Sequence, residues 1–211
     1  FLYGAQPNMG LYFQPDGPHV NPADLLPHGK IKEAQEVQEA AAEQLRQDLV
    51  FVGKKLNSIG CEGLNFDTSG SAGDADFLAA LQAVSDLKEI APNMPIIMGG
   101  SGEFVLGMHG EVKFNGKQLA GMYPHQQAQA AEEAGASIYG VAIGTKTNES
   151  FAWNIARAVT FIKAAAAGVN IPIHANVGMG VGGISMMEAP SIDSVTRASK
   201  SLVQIGKADG L

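Results

Sequence analysis

Apolar and polar positions repeat with two different periods along this chain, and the switches between them mark its elements. Ile31, Ala34, Val37, Ala41, Leu45, Leu49, Val52 and Leu56 step by three or four, which predicts one apolar stripe of a long helix. Glu33, Glu36 and Glu39 near its start and Lys54 and Lys55 near its end match the helix dipole. Short apolar runs bounded by Gly, Pro and Asn predict strands over 1–4, 63–66, 95–98, 137–142 and 171–177. A sixth strand is expected to begin at Ala208. Between the strands come further helices. One is capped by Asp74 or Asp76 and turns Phe77, Leu78, Leu81, Val84 and Leu87 inward; another covers 125–134. A third, capped by Asn148 or Ser150, carries Phe151, Ile155, Val159 and Ile162, and the last, from Ser191, carries Val195, Ala198, Leu202 and Ile205. Residues 5–29 are rich in turn signals and long for a loop, so they are expected to be functional or partly structured. Glu111-Val-Lys-Phe-Asn-Gly116 predicts a small hairpin with an Asn-Gly turn.

Strands followed by helices at this spacing suit successive βαβ units. A doubly wound sheet wants nearly all-apolar strands, whereas a barrel accepts polar residues at the C-terminal ends of many strands. Polar groups close at least four strands here: Asn65 and Asp67, Glu103, Thr145, and His174 with Asn176. The expected fold is therefore α/β, a (β/α)₈ TIM barrel of which the chain supplies about five βα units and the start of a sixth strand. Because the sequence opens and closes on strand-like residues, residues 1–211 are expected to be part of a longer catalytic domain.

Composition narrows the function. A net charge of −7 argues against nucleic acid as the main ligand, and no apolar run is long enough to span a bilayer. A soluble cytoplasmic protein is the expectation. The lone Cys61 permits no internal disulfide and reads as a buried, inert thiol. The 26 glycines cluster after apolar runs, as loops at strand ends do, rather than forming a linker.

The richest stretch runs from Asn170 to Ile184. His174 and Asn176 sit two apart and so share a strand face, and Gly178, Gly180, Gly182 and Gly183 then let the backbone approach a ligand or another chain. Glu103 follows a glycine and precedes apolar residues, which suits a half-buried carboxylate. Asp67 reads either as a turn cap or as a functional group at a strand's end, and His174 either as a core imidazole or as a site residue. His109 and His125 are weaker candidates, and Tyr123-Pro-His-Gln-Gln127 also reads as a plain helix start. No dinucleotide fingerprint, P-loop lysine or Gly-x-Ser-x-Gly elbow is present. The five histidines show no i, i+4 pairing, so no metal site is expected. The residues alone imply a barrel enzyme of unspecified chemistry.

Ten stretches carry a closer resemblance. They are Tyr3-Gly-Ala-Gln-Pro-Asn-Met-Gly-Leu-Tyr12, Pro15-Asp-Gly-Pro18, Asn65-Phe-Asp-Thr68, Ala72-Gly-Asp74, Leu106-Gly-Met-His-Gly110, Pro124-His-Gln-Gln127, Ala152-Trp-Asn154, Arg157-Ala-Val-Thr-Phe161, Gly178-Met-Gly-Val-Gly-Gly183 and Val195-Thr-Arg-Ala-Ser-Lys200. Together they resemble the dimethylamine:corrinoid methyltransferases of methanogens and some anaerobic bacteria. The resemblance implies methyl transfer from dimethylamine to the Co(I) of a cognate corrinoid protein, leaving methylamine. It implies no cofactor bound directly, the corrinoid being carried by the partner, and a homo-oligomer is expected. It also implies an encoded pyrrolysine after an Asp-Gly-Ile stretch. Asp209-Gly210-Leu211 stands in that place, so pyrrolysine is expected directly after Leu211. Glu103, Asp67, His125 and His174 are then the catalytic candidates, with Gln126, Asn176, Met179 and Gly180 around the substrate. Asn176 stands where the family pattern leads one to expect Asp.

Two alternatives compete. One is a lyase or aldolase-like barrel that holds a phosphorylated substrate at the Gly178–Gly183 loop. The other is an inactive piece that only docks a corrinoid protein.

Overall fold

In a computed structural model of the chain, the described residues are 2–5, 8–107, 110–144 and 152–211. In chain order the elements begin with β1 (Leu2–Ala5), α1 (Pro22–Leu25), α2 (Ile31–Ser58), β2 (Gly63–Ser69), α3 (Asp74–Ile90) and β3 (Ile96–Gly100). They continue with β4 (Lys113–Phe114), β5 (Lys117–Gln118), α4 (Pro124–Ala134), β6 (Ile138–Val141), α5 (Ala152–Gly168), β7 (Ile173–Ala175) and α6 (Ile192–Gln204). The chain divides into two units: residues 1–96 with 105–121, and residues 97–104 with 122–211. The alternation of strand and helix bears out the α/β class; apart from the antiparallel β4–β5 hairpin, the strands pair in parallel within each unit.

In the first unit β1 pairs with β2, Leu2 opposite Gly63 and Ala5 opposite Phe66. The turn-rich stretch before α2 is partly structured, as expected: 3₁₀ turns cover Met9–Tyr12 and Leu26–His28 around α1. Asn8 and Asn21 each accept a backbone N–H two residues on, at 3.0 Å, starting the first turn and α1. Along α2 the buried face is Ala34, Gln38, Ala41, Ala42, Leu45, Leu49 and Gly53. Val52 and Ile31, expected on that stripe, are 38% and 60% exposed. Gly53 takes the inward place because a Cβ there would lie 2.6 Å from Leu87 of α3; the missing side chain lets the two helices close up. Arg46 of α2 then forks onto Asp86 of α3, with Nε donating at 2.7 Å and Nη2 at 3.1 Å. The hairpin forms where expected, with Asn115 and Gly116 both at positive φ.

The start of α3 corrects one expectation. Its N-cap is Gly73, at φ 101°, and neither aspartate caps it. Both carboxylates instead tie down loops. Asp74 accepts from Gly110 N–H at 3.1 Å, and Asp76 accepts from the Ser71 hydroxyl at 3.1 Å and Ala72 N–H at 2.9 Å. Cys61 is also corrected: it is half-buried, donating to the Gly63 carbonyl at 3.3 Å.

The second unit is the more regular. β3, from Ile97 on, pairs with β6 and β6 with β7, so Gly99, Gly140 and His174 lie in one row across three parallel strands. The sixth strand is present as a single parallel pairing of Gly210 with His174, held by Ala175 N–H to the Gly210 carbonyl at 3.2 Å and Asp209 N–H to the Ile173 carbonyl at 2.8 Å. α6 follows from Ser191 as expected, with Ser191 as its cap, but Ile205 is 56% exposed, because α6 ends one residue earlier. Thr145, the cap candidates Asn148 and Ser150, and Phe151 lie outside the described residues. Among the described residues no helix is long and apolar enough to cross a membrane.

The buried Asp76 generates a stability prediction. Burial pushes its carboxyl up from 3.8 to about 6, against the opposing hydrogen bonds from Ala72 and Ser71. A folded-state value above the unfolded one gives a contribution that is complete below pH 3.8 and lost as the pH rises through about 6. Asp76→Asn should therefore gain on the wild type as the pH rises from 4 to 7.5, by on the order of 3 kcal/mol. Urea midpoints of both proteins across that range measure it; parallel curves would contradict the assignment.

Candidate functional site

The exit of β3 is built around a buried amide. Gln127, 2% exposed, sits in the first turns of α4. Its Oε1 accepts from the Tyr139 hydroxyl at 2.7 Å, while its Nε2 donates to the carbonyls of Met122 at 2.8 Å and Gly102 at 3.2 Å. Tyr139 belongs to β6 and is fully buried, which pushes its hydroxyl far above the usual phenol range. It stays neutral and donates. A Cβ on Gly100 would lie 2.5 Å from the Tyr139 hydroxyl and 3.1 Å from Gln127 Oε1, so β3 must end in glycine for this bridge to form.

The residue after the anchored Gly102 is Glu103. Its side chain is 12% exposed and its Oε2 is paired with Arg157 Nη2 of α5. Its other oxygen, Oε1, is buried and has no hydrogen-bond partner among the described residues. That is a costly state for a carboxylate oxygen, on the order of 1–3 kcal/mol or more for a charged group. Arg157 itself lies over the Phe161 ring, 5.8 Å from its centroid, and Phe161 stacks on Tyr123 at 6.1 Å and 16°. One carboxylate oxygen is thus clamped by an arginine on an aromatic floor, and the other is buried without a partner among the described residues.

The remaining candidates divide. Gln126 is exposed and its Oε1 accepts from Tyr123 N–H at 3.0 Å, so it serves the start of α4. His125, half-buried, is the second residue of that helix. His174 on β7 lies over Gly140 of β6: a Cβ there would be 2.7 Å from His174 Nε2, so the imidazole fills the space of the missing side chain. His174 also lines a cavity of about 320 Å³ with Ile97, Ile138, Pro172, Asp209 and Gly210. Asn176, two residues on, is exposed, as is Met179 at 62%. Glu103 follows the end of β3 and His174 lies within β7, with β6 paired between those two strands. Asp67 belongs to the first unit, where its Oδ1 accepts from Thr68 N–H at 2.8 Å. It stands within β2, the third residue from that strand's end. His109 lies outside the described residues.

The glycine loop after β7 is knitted to itself and to the segment that follows β6. Gly178 N–H donates to Val181, Val181 N–H back to Gly178, Gly180 N–H to Ser185 and Gly182 N–H to Ile143, at 2.8–3.2 Å. Gly180 is buried. At Gly183, with φ 81°, a Cβ would lie 2.7 Å from the Cα of Ile155, so this glycine admits the backbone of α5. These amides are already engaged with carbonyls, whereas a phosphate cradle needs them pointing at the ligand.

Gln127, Tyr139 and Arg157 are the residues that sequence reasoning missed as site builders. The signal available was Gly99-Gly100-Ser-Gly102 ahead of Glu103, a run too glycine-rich for an ordinary strand end.

Comparison with known proteins gives a sequence-family match over residues 1–211, to the family described as Dimethylamine methyltransferase (Dimeth_PyL). Among solved structures, a pyruvate carboxylase variant of Rhizobium etli aligns at 14% identity and TM-score 0.45, covering 78% of this chain and 14% of that one. A Pseudomonas aeruginosa protein provisionally described as a dihydrodipicolinate synthetase aligns at 15% identity and TM-score 0.40, covering 78% of this chain and 47% of that one. The chain therefore spans less than half the length of either.

The engaged amides of the glycine loop predict that inorganic phosphate will not bind there. Millimolar phosphate should shift the melting temperature no more than chloride at equal ionic strength, read by differential scanning fluorimetry. A saturable phosphate-specific rise that Gly180→Ala abolishes would restore the phosphate-loop reading.

Proposed function

The chain belongs to the dimethylamine methyltransferase family, and from that premise we propose that the full-length protein moves a methyl group from dimethylamine to the Co(I) of a corrinoid carried by a separate protein, leaving methylamine. The observation that carries this reading to particular residues is Glu103, half-clamped by Arg157, with a buried oxygen awaiting a donor. Dimethylamine at neutral pH is an ammonium ion with two N–H donors, and a carboxylate oxygen is their natural acceptor. Methyl transfer requires the C–N bond to break with its electron pair leaving on nitrogen, while a new Co–C bond forms. An amine leaves only when its nitrogen is protonated or otherwise bonded, so the group that holds that proton sets the rate. Glu103 is the proposed holder, and His174 and His125 are the further proton carriers.

The strand register supports a place for pyrrolysine. Gly210 pairs in parallel with His174, so a strand continuing past Leu211 brings its next residue level with Asn176, on the same face as the imidazole. Gly140 and Gly210 flank His174 without side chains. When present, pyrrolysine supplies an electrophilic imine that can hold the amine. Asn176 would then donate or accept a hydrogen bond at that group, and Met179 and Gly180 would border the substrate. The reading includes a closed (β/α)₈ barrel, for which the successive parallel strand–helix units speak.

The test is methyl transfer to Co(I) by full-length protein with its corrinoid partner, followed by the visible spectrum of the corrinoid. Dimethylamine should act as donor in preference to methylamine and trimethylamine. Glu103→Gln should slow transfer by about 10²–10⁴-fold with an unchanged melting temperature. A wild-type rate in that variant would remove Glu103 from the mechanism.

A further inference from the structure

Arg157 has no role in the reading above beyond being near Glu103, yet its surroundings are more constrained than a surface ion pair requires. It is 44% exposed, but its guanidinium is fixed from two sides, by Glu103 Oε2 and by the face of Phe161, which is braced in turn by Tyr123. Arg157 and Phe161 are four apart on α5, so they share one helix face. Tyr123 directly precedes α4, the helix whose Gln127 holds the Gly102 carbonyl. Glu103 is thereby positioned twice: its backbone through Gln127 and its carboxylate through Arg157.

We propose that Arg157 is a positioning residue for methyl transfer: it occupies Oε2 of Glu103 and so presents Oε1 alone to the ammonium group of the substrate. The proposal rests on Glu103 acting in the reaction. The chemistry favours one-sided occupation. A free carboxylate rotates and offers either oxygen to solvent or substrate, whereas one clamped by a planar guanidinium has a single remaining direction. A substrate with two N–H donors then meets one fixed acceptor, which fixes the direction of its C–N bonds as well. An attack on carbon along that bond requires such alignment.

The experiment is a double-mutant cycle in the full-length enzyme with its corrinoid partner, using Glu103→Gln, Arg157→Ala, the pair together, and Arg157→Lys, with single-turnover methylation of Co(I) as the readout. Arg157→Ala should lower the maximal rate by about 10–100-fold with a smaller change in the apparent affinity for dimethylamine. Added guanidinium ion should restore a part of the loss in Arg157→Ala and none in Glu103→Gln. The double variant should be no slower than Glu103→Gln alone, because the two residues act as one unit. Arg157→Lys, which keeps the charge but not the planar guanidinium over Phe161, should fall between wild type and Arg157→Ala, and its fold is safe at a half-exposed site. Slow Glu103→Gln with wild-type Arg157→Ala and Arg157→Lys would overturn the positioning role and leave the Glu103 reading standing. Losses that multiply in the double variant, without guanidinium rescue, would overturn it as well. A wild-type rate in Glu103→Gln would bring down both.

Discussion

The second unit depends on the buried carboxamide of Gln127. A buried amide has to satisfy two donors and an acceptor, and here the Tyr139 hydroxyl and the Met122 and Gly102 carbonyls do so. Those three partners lie on β6, just before α4, and just past β3. Satisfying one side chain thus fixes a strand, a helix start and a strand exit together. The arrangement needs Gly100, since any side chain there would collide with the bridge. It also determines where Glu103 begins. The ion pair with Arg157 refines a position that the amide has already set.

Glycine serves two purposes in the chain. At Gly53, Gly100, Gly140 and Gly183 its missing Cβ leaves space for a neighbour: a leucine, a tyrosine hydroxyl, an imidazole and a helix backbone. At Gly116 and Gly178 it allows a backbone turn of positive φ. Neither purpose is phosphate binding. A glycine-rich loop after a strand looks like an anion cradle in sequence, but the destination of its amides decides the matter, and here they end on carbonyls.

Much of the fold was legible because it is local. The α2 stripe, the helix after Ser191 and the Asn115-Gly116 turn follow from period and turn chemistry within a few residues. The resemblance to the dimethylamine methyltransferases, read from ten stretches, agrees with the family match over the whole chain. What periodicity could not show is long-range pairing. Nothing in a stripe says that Gly53 rather than Val52 would face α3, that Asp74 and Asp76 would hold loops instead of capping, or that Arg157 would find a carboxylate 54 positions away. Glu103 was found from its setting among glycines; the residues that hold it were not, since glutamine, tyrosine and arginine on helices and strands have ordinary structural uses.

The acceptor oxygen of Glu103 and the row that continues from His174 are two sides of one proposed chemistry, and the second side hangs on the residue that follows Leu211. A peptide mass spectrum of the natively expressed protein across Ala208 to Leu211 and onward tests that most directly. Pyrrolysine directly after Leu211 is the predicted result. An ordinary amino acid there would contradict the account, because no imine would then stand level with Asn176 to hold the amine.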